Sequence, residues 1–512
     1  MTTITRIRPA RQWLPVVQQR LPITLILFLA ATLYLFGLGT ESLWIDELFS
    51  IEDAQTGNGL PPSNLTRPIY YILLKGWMQF GTSDAWLRGL SVLFGLCSIF
   101  LIYQLGRRLA GEKEAWLAAL MLTLSPLFIN HAQEVRMYTL STCVTLGGTL
   151  ALTYAFERPI VSRIGYWAVL RLLSILCVPL NIAMLVPDVL LICLKFCRQR
   201  RILLKFGIWL LFIGALWMPC VFSVAQATSS HSGEGHVSRR SVPDFMEAVR
   251  LVRSFTVLPR FHSSRPVLLS SVASVFYKAF TAALIGLMGL AIFQKHRSSK
   301  LLWATAWGFL PLALIFTFSN LFFSLWMDRY LLFTLPYLLI LIAAGFTQVL
   351  HRWSTAALLM ACIYFIAVGG GLVRYYTVLE RGDLRGIAQT INFHEEPGDA
   401  IALALRRPRQ LTHIDHYYQG NARIDILGGV PDGKAIQTSD INAWLDELPT
   451  ITSRLWLVCA LSDVNTKIFR AAVATEFDVQ LRRRFWYGMP IDVILVEPLE
   501  TSTQEPLNRQ ET

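Results

Sequence analysis

The chain has few charged residues. Only 16% of its 512 residues are Asp, Glu, Lys or Arg, whereas 54% are hydrophobic and 12% are aromatic. Soluble domains have about 25% charged residues, and the mean hydropathy of +0.47 is correspondingly high. The composition therefore excludes an ordinary soluble protein and predicts a membrane protein.

Acidic residues are especially scarce. Asp and Glu number 34 against 46 Lys and Arg, which gives a formal net charge of +12. The basic residues precede the first apolar run and cluster between later runs, and such clusters are typical of cytoplasmic loops. The positive charge is therefore explained without a nucleic-acid partner.

Cysteines and metal-binding motifs are also rare. The chain has eight cysteines, of which seven lie in or beside apolar runs, so a disulfide framework is not expected. Cys193 and Cys197 are one helical turn apart, but their neighbours are Leu, Lys and Phe, which favours packing over metal binding. We predict no cofactor and no metal site; a divalent metal stays open as an alternative but is not required.

Long apolar runs dominate the first three quarters of the chain. Runs long enough to cross a bilayer, which takes about 17–25 residues, lie near 21–40, 86–106, 115–130, 138–156, 164–180, 182–197, 203–225, 267–294, 301–319, 330–350 and 354–373. The pair between 164 and 197 has an alternative interpretation as one broken hairpin around Pro179 and Pro187. With a cytoplasmic N-terminus, all five predicted cytoplasmic loops are basic. We therefore predict a polytopic α-helical protein of the inner (plasma) membrane with about 11 transmembrane helices.

Two domains follow from this pattern. Residues 1–373 form the transmembrane domain, with external loops at 41–85 and 226–266. Residues 374–512 instead alternate strand-like runs (EPGDAIALAL, SRLWLVCAL, IDVILVEP) with runs of helical spacing (LRGIAQTINF, INAWLDEL, IFRAAVATEF). Such alternation predicts a small α/β domain, which the topology places outside the cytoplasm.

Four polar segments fall on the predicted outer side. They are Trp44–Glu47, the segment that begins at Arg67, His131–Tyr138, and Trp326–Tyr330. Ionisable groups at membrane depth are costly and usually mark a functional site. The structural alternatives are a solvated loop, an ion pair between Glu134 and Arg136, and a span-end arginine at 329. Convergence on one side favours a single site.

Carboxylate and guanidinium groups above a membrane suit group transfer from a lipid-linked phosphate. Arginine binds phosphate, bidentately where geometry allows, and stabilises the charge of a leaving phosphate. A carboxylate can accept the proton of an attacking hydroxyl. Two other classes of function stay open: a transporter or flippase of a lipid-linked sugar, which would carry internal repeats or charged broken helices, and a membrane anchor for a binding domain.

The sequence resembles the bacterial branch of the dolichyl-phosphate-mannose protein mannosyltransferase superfamily, glycosyltransferase family 39, within the GT-C class. The resemblance is carried by LWIDELFSI, RPIYYILLKGW, LRGLSVLFG, GRRLAG, LSPLFINHAQEVRMYTL and DRYLLFTLPYLLILIAAG, and in the tail by GDLRGIAQTINFHEEPGDAIAL. It implies a GT-C-like fold and an inverting glycosyltransferase. The implied donor is a polyprenyl-phosphate sugar on the outer membrane face, and the acceptor is a lipid, a glycan or a protein.

The resemblance also implies roles for single residues. Asp46 is the expected catalytic base, Glu47 completes its acidic pair, and Glu134 supplies a second acidic site. Donor-phosphate binding is expected from Arg67, Arg136 and Arg329, and the site is expected to be lined by Trp44, His131, Tyr138 and Asp328. Many relatives have His before the proline of the second motif, where this chain has Arg67 before Pro68, so a metal is not expected there.

Overall fold

The computed structural model describes residues 14–55, 67–230, 241–257, 271–293, 299–378, 381–405, 412–427, 454–460, 469–471, 473–475, 477–486 and 490–498. The chain divides into two compact units. The first comprises Met1–Gly39, Phe49–Arg260 and Val267–Val378, and the second comprises Thr40–Leu48, Phe261–Pro266 and Leu379–Thr512. Residues 40–48, predicted to begin the first external loop, thus group with the C-terminal residues.

The first unit is helical. Its helices are α1 (Leu14–Leu35), α3 (Pro68–Met78), α4 (Asp84–Leu109), α5 (Glu112–Leu124), α6 (Pro126–Ala132), α7 (Tyr138–Glu157), α8 (Val161–Cys177), α9 (Leu185–Phe196), α10 (Arg200–Ser230), α11 (Phe245–Ser254), α12 (Ser271–Phe293), α13 (Ser299–Leu321), α14 (Asp328–Leu331), α15 (Leu335–Arg352) and α16 (Ser354–Thr377). Helix α2 (Ile45–Gln55) begins in the second unit and ends in the first.

Many of these helices are long and apolar enough to span a bilayer. In the described part of the chain eight meet that requirement, and α5 with α6, bent by 64°, would make a ninth. Each of the eleven predicted spans coincides with a helix, but Leu21–Leu35 is short and α8 has only 17 residues. The polytopic helical fold is confirmed, and the number eleven stays a prediction.

The bend between α5 and α6 has a local cause. Pro126 has no N–H to continue the α5 hydrogen-bond ladder, and proline is favoured at the first position of a new helix. Ser125 accepts a hydrogen bond from the Phe128 N–H at 3.3 Å and thereby caps α6. The bend directs α6 and the residues after it into a buried region.

A buried polar network joins helices α7, α8, α9 and α13. The Arg171 guanidinium binds both oxygens of Asp188, at 2.8 and 3.1 Å, and both side chains are fully buried. The indole N–H groups of Trp167 and Trp307 also donate to Asp188, at 2.8 and 2.9 Å. The sequence shows both charges within apolar runs, but their pairing was not predicted.

The second unit contains one mixed five-stranded sheet. Its strands are β1 (Ala400–Leu405), β2 (Arg423–Leu427), β3 (Leu455–Ala460), β4 (Phe477–Trp486) and β5 (Pro490–Pro498), in the order β2-β1-β3-β5-β4. Strand β1 is parallel to β2 and β3, and β5 is antiparallel to β3 and β4. Helix α17 (Leu384–His394) precedes β1.

The predicted elements of this unit are present where the structure describes them. Strands β1, β3 and β5 and helix α17 fall on the predicted segments, and residues 469–471 and 473–475 are helical. The predicted helix INAWLDEL lies outside the described residues. The sequence prediction missed β2 and β4, which are the two edge strands, because edge strands carry less of the apolar alternation that marks a strand.

Candidate active site

The acidic pair lies in the first turn of α2. The Glu47 carboxylate accepts a hydrogen bond from the Trp44 backbone N–H at 3.1 Å, and the Trp44 carbonyl accepts the first helical bond from Leu48. This is the glutamate half of a capping box. Glu47 is fully buried, and an Arg381 nitrogen lies 3.9 Å from the same carboxylate oxygen. Glu47 is therefore used to fix the start of the helix.

Asp46 occupies a different environment from Glu47. It is half-buried, and on a helix it shares a face with Ser50 and Asp53, four and seven residues further on. Its position in the first helical turn places the carboxylate at the helix N-terminus, which carries partial positive charge. The two neighbouring acids thus occupy different environments at the start of one helix.

The segment before α2 is bound by residues of the C-terminal sequence. The Leu43 N–H donates to the Tyr417 hydroxyl at 2.8 Å, and the Ser42 hydroxyl accepts from the Arg385 N–H at 3.2 Å. Arg381 also lies 3.6 Å from Glu41. The sequence analysis did not anticipate that residues near 381–417 hold the segment that carries the acidic pair.

In the first unit, Glu134 lies just after α6 and is buried, with 3% of its surface exposed. One carboxylate oxygen accepts from the Asn130 side-chain amide at 2.8 Å, and the other lies 2.9 Å from Nδ1 of His131. Asn130 and His131 both lie in the last turn of α6. Glu134 thus contacts His131, a partner that the sequence did not indicate.

Arg136 is held from two sides. One of its guanidinium nitrogens donates to the Ser50 hydroxyl at 3.1 Å, and its backbone carbonyl accepts from Ser91 at 3.1 Å. The guanidinium lies over the ring of Tyr138, 5.7 Å from its centroid. Arg136 is 7% exposed. Arg136 therefore places a largely buried positive charge in this part of the first unit.

Arg67 and Arg136 both lie near Tyr71. Burial raises the pKa of the Tyr71 hydroxyl, and the positive charges of these two arginines oppose that rise. Arg67 is the residue immediately before α3, and Pro68 is the first residue of that helix. The fixed φ angle of proline suits the first helical position, so the helix begins directly after Arg67. Tyr71 was not among the predicted site residues.

Arg329 joins the same cluster through Tyr138. Its guanidinium lies 5.4 Å from the centroid of the Tyr330 ring, and that ring lies 6.3 Å from the ring of Tyr138. Arg136 and Arg329 are both within electrostatic reach of the Tyr138 hydroxyl. Three predicted phosphate-binding arginines are therefore brought together around two tyrosines.

The remaining predicted residues of the first unit border this cluster. The rings of His131 and Tyr138 are 4.9 Å apart. Asp328 is half-buried next to Ser254 and within electrostatic reach of His131. The structure thus gathers seven of the ten predicted residues in the first unit, while Trp44, Asp46 and Glu47 begin α2 in the second. Across the described ranges, no group of three His, Cys, Asp or Glu is arranged to hold a metal.

The architecture matches solved membrane glycosyltransferases. ArnT from Cupriavidus metallidurans superposes with a TM-score of 0.58 at 13% identity, covering 92% of this chain and 97% of that one. The oligosaccharyltransferase of Archaeoglobus fulgidus superposes with a TM-score of 0.53 at 10% identity, covering 88% of this chain and 70% of that one. At such identities the likeness concerns the fold, and the fold is that of the GT-C class.

Parts of the sequence are also similar to known protein sequences. Residues 67–224 match the family model described as dolichyl-phosphate-mannose-protein mannosyltransferase. A protein of Aquifex aeolicus without an assigned function is 33% identical over 122 residues, which is 21% of this chain and about a quarter (24%) of that relative's length. The predicted resemblance to this mannosyltransferase family is confirmed for residues 67–224.

Proposed function

We propose that the protein is a glycosyltransferase that moves a sugar from a polyprenyl-phosphate donor to an acceptor hydroxyl, with inversion, at the outer face of the inner (plasma) membrane. The observation that carries the proposal is the cluster of Arg67, Arg136 and Arg329 around Tyr71 and Tyr138. Three guanidinium groups gathered in one place suit an anionic substrate such as a phosphate.

Two structural neighbours support a lipid phosphate as the anion. One ArnT structure from Cupriavidus metallidurans, with a TM-score of 0.55, is described as bound to undecaprenyl phosphate. The oligosaccharyltransferase AglB from Archaeoglobus fulgidus, with a TM-score of 0.53, is described as a complex with an inhibitory peptide and a dolichol-phosphate. We extend the lipid-phosphate donor to this chain because its arginines supply the matching charge.

The arginines act mainly on the leaving group. As the bond between the anomeric carbon and the phosphate oxygen breaks, its electron pair stays with the phosphate, which gains one negative charge. Guanidinium groups already fixed by Ser50, Tyr138 and Tyr330 stabilise that charge without reorganising. Their low exposure strengthens the interaction, because the local dielectric constant is below that of water.

The proton of the acceptor goes to Asp46. The acceptor oxygen attacks the anomeric carbon from the side opposite the phosphate, and its proton passes to the Asp46 carboxylate as the new bond forms. Glu47 serves as a positioning residue, since its carboxylate is engaged by Trp44 and Arg381. This division of roles supports Asp46 as the base of the pair.

The decisive experiment is a transfer assay in reconstituted membranes with a panel of polyprenyl-phosphate sugars. We expect wild-type protein to transfer one of them, and Asp46→Asn to lose roughly 10²-fold or more of turnover while donor binding is kept. Full transfer by Asp46→Asn would remove the base assignment. Movement of the lipid-linked sugar across the bilayer without transfer would instead favour the flippase alternative.

Donor binding is tested separately. Arg136→Ala and Arg329→Ala should each weaken binding of the donor phosphate roughly tenfold or more, because each removes a charge-assisted contact. Arg352→Ala is the matched control, since Arg352 is an exposed arginine at the C-terminal end of α15, whereas Arg329 precedes the N-terminal end of that helix. Equal donor affinity in all three variants would exclude the arginine cluster as the phosphate site.

The proposed orientation places the N-terminus in the cytoplasm and the C-terminal unit outside it. Glu52 and Lys113 are both exposed and lie on opposite sides in this topology. With exposed native cysteines replaced by serine, a cysteine at 52 should react with an impermeant thiol reagent from outside, and one at 113 only after permeabilisation. The reverse pattern would invert the orientation.

A further inference from the structure

One buried polar atom of the site has no role in the proposed transfer. Nε2 of His131 has no hydrogen-bond partner among the described residues, and the side chain is 4% exposed. Buried polar atoms are nearly always hydrogen-bonded, and leaving one unsatisfied is costly. A buried nitrogen without a hydrogen-bond partner, next to the proposed active site, is suited to a ligand that supplies the missing hydrogen bond.

Glu134 determines what this atom can bind. An ionised carboxylate only accepts hydrogen bonds, so the contact of 2.9 Å requires a proton on Nδ1 of His131. In the neutral imidazole, Nε2 then carries a lone pair and acts as an acceptor. The Asn130 amide holds the other carboxylate oxygen at 2.8 Å, which fixes Glu134 and, through it, the imidazole.

Tyr138 offers a second polar atom at the same place. Its ring lies 4.9 Å from the imidazole, and the side chain is 2% exposed. Its hydroxyl lies beside the Arg136 guanidinium and makes no hydrogen bond of good geometry with the described residues. A phenol next to a cation is a ready hydrogen-bond donor toward a ligand. The two rings therefore present an acceptor and a donor side by side.

This combination selects the chemistry of the ligand. Phosphate oxygens accept hydrogen bonds and cannot satisfy a lone pair on Nε2, whereas an alcohol both donates and accepts. In the proposed function, Arg136 and Arg329 bind the phosphate, and both lie near Tyr138. A sugar attached to that phosphate would bring its hydroxyl groups next to the same tyrosine.

We propose that His131, oriented by Glu134, and Tyr138 form a subsite that binds one hydroxyl group of the transferred sugar and thereby selects the sugar. The hydroxyl donates to Nε2 of His131 and accepts from the Tyr138 hydroxyl. This inference rests on the proposed function, because it takes the sugar-phosphate donor as the ligand of the arginine cluster.

The test compares the transferred parent sugar with each of its monodeoxy analogues, all linked to polyprenyl phosphate. We expect one deoxy analogue to lose roughly tenfold in kcat/KM with wild-type protein. His131→Ala and Tyr138→Phe should lose a similar factor on the parent sugar and nothing further on that analogue, because the contact is already gone. His131→Gln, which restores an acceptor, should recover part of the loss.

The outcomes separate the two proposals. If wild-type protein transfers no polyprenyl-linked sugar, the proposed function falls and the subsite with it. If it transfers the parent sugar but His131→Ala loses the same factor on every analogue, only the sugar subsite is excluded. If kcat/KM on the parent sugar is unchanged in His131→Ala, Nε2 is hydrogen-bonded by water only, and the sugar subsite is again excluded. His351→Ala, on an exposed histidine, is the control.

Discussion

Arg171 and Asp188 form a two-point ion pair that is sealed from solvent. Four further groups complete it. The indoles of Trp167 and Trp307 donate to the carboxylate, and the guanidinium donates to the Thr149 hydroxyl at 3.1 Å and to the Thr145 carbonyl at 3.3 Å. Charged groups in a membrane interior usually mark substrate pathways. Here every polar atom of the carboxylate is engaged by protein, so the pair serves to fix the packing of four helices.

Breaking this pair should be strongly destabilising. Asp188→Asn leaves the Arg171 cation buried without its counter-charge, a change that costs about 3–5 kcal/mol in buried pairs. We expect a large drop in the thermal unfolding midpoint in detergent. Glu112→Gln is the control, because the Arg107–Glu112 pair is partly exposed and should matter by less than about 1 kcal/mol. Equal midpoints for the two variants would refute the structural role.

Glu47 and Asp46 should respond differently to loss of charge. Glu47→Gln keeps a side chain that can complete the capping box but weakens the contact with Arg381, so we expect partial loss of turnover and an unchanged pH–rate profile. Asp46→Asn should abolish turnover. The measurement is kcat across pH for both variants. If Glu47→Gln is as inactive as Asp46→Asn, the two acids act as a unit and the separation of roles is wrong.

Helices α12 and α15 approach each other at a glycine. A Cβ atom on Gly345 would overlap the carbonyl group of Leu287. Backbone cannot move as a flexible side chain can, so we expect Gly345→Ala to cost about 1–3 kcal/mol. Gly289→Ala on α12, where a Cβ meets nothing within 4 Å, should be neutral or stabilising. Equal thermal midpoints for the two variants would contradict this close approach.

The sequence predicted the features that depend on local pattern. Apolar run length located the helices. The sequence could not predict the contact between Glu134 and His131, because the chain turns after α6 and the sequence does not show how. Nor could it reveal that Arg381 pairs with Glu47 across more than 300 residues of sequence, since such pairings depend on the tertiary structure.

The C-terminal unit should show its own acid sensitivity, through Asp399. Burial alone would raise the pKa of this carboxyl, but hydrogen bonds from Arg454 and Trp456 outweigh burial and hold the pKa below its usual value. Arg454 donates to both oxygens, at 3.1 and 3.0 Å, and the Trp456 indole donates at 3.0 Å. These contacts join the start of β1 to the start of β3.

A lowered folded-state pKa sets the direction of the effect. Asp399 stabilises the unit at any pH above its unfolded pKa of about 3.9, and that stabilisation is lost as pH falls through the lower, folded value. Asp399→Asn should remove about 2 kcal/mol at neutral pH and flatten the acid limb of unfolding. Proteolysis of the full chain at pH 2 to 7 measures this. Asp478→Asn, on an exposed edge-strand carboxylate, is the control, and an identical acid limb in both variants would show that Asp399 does not govern the transition.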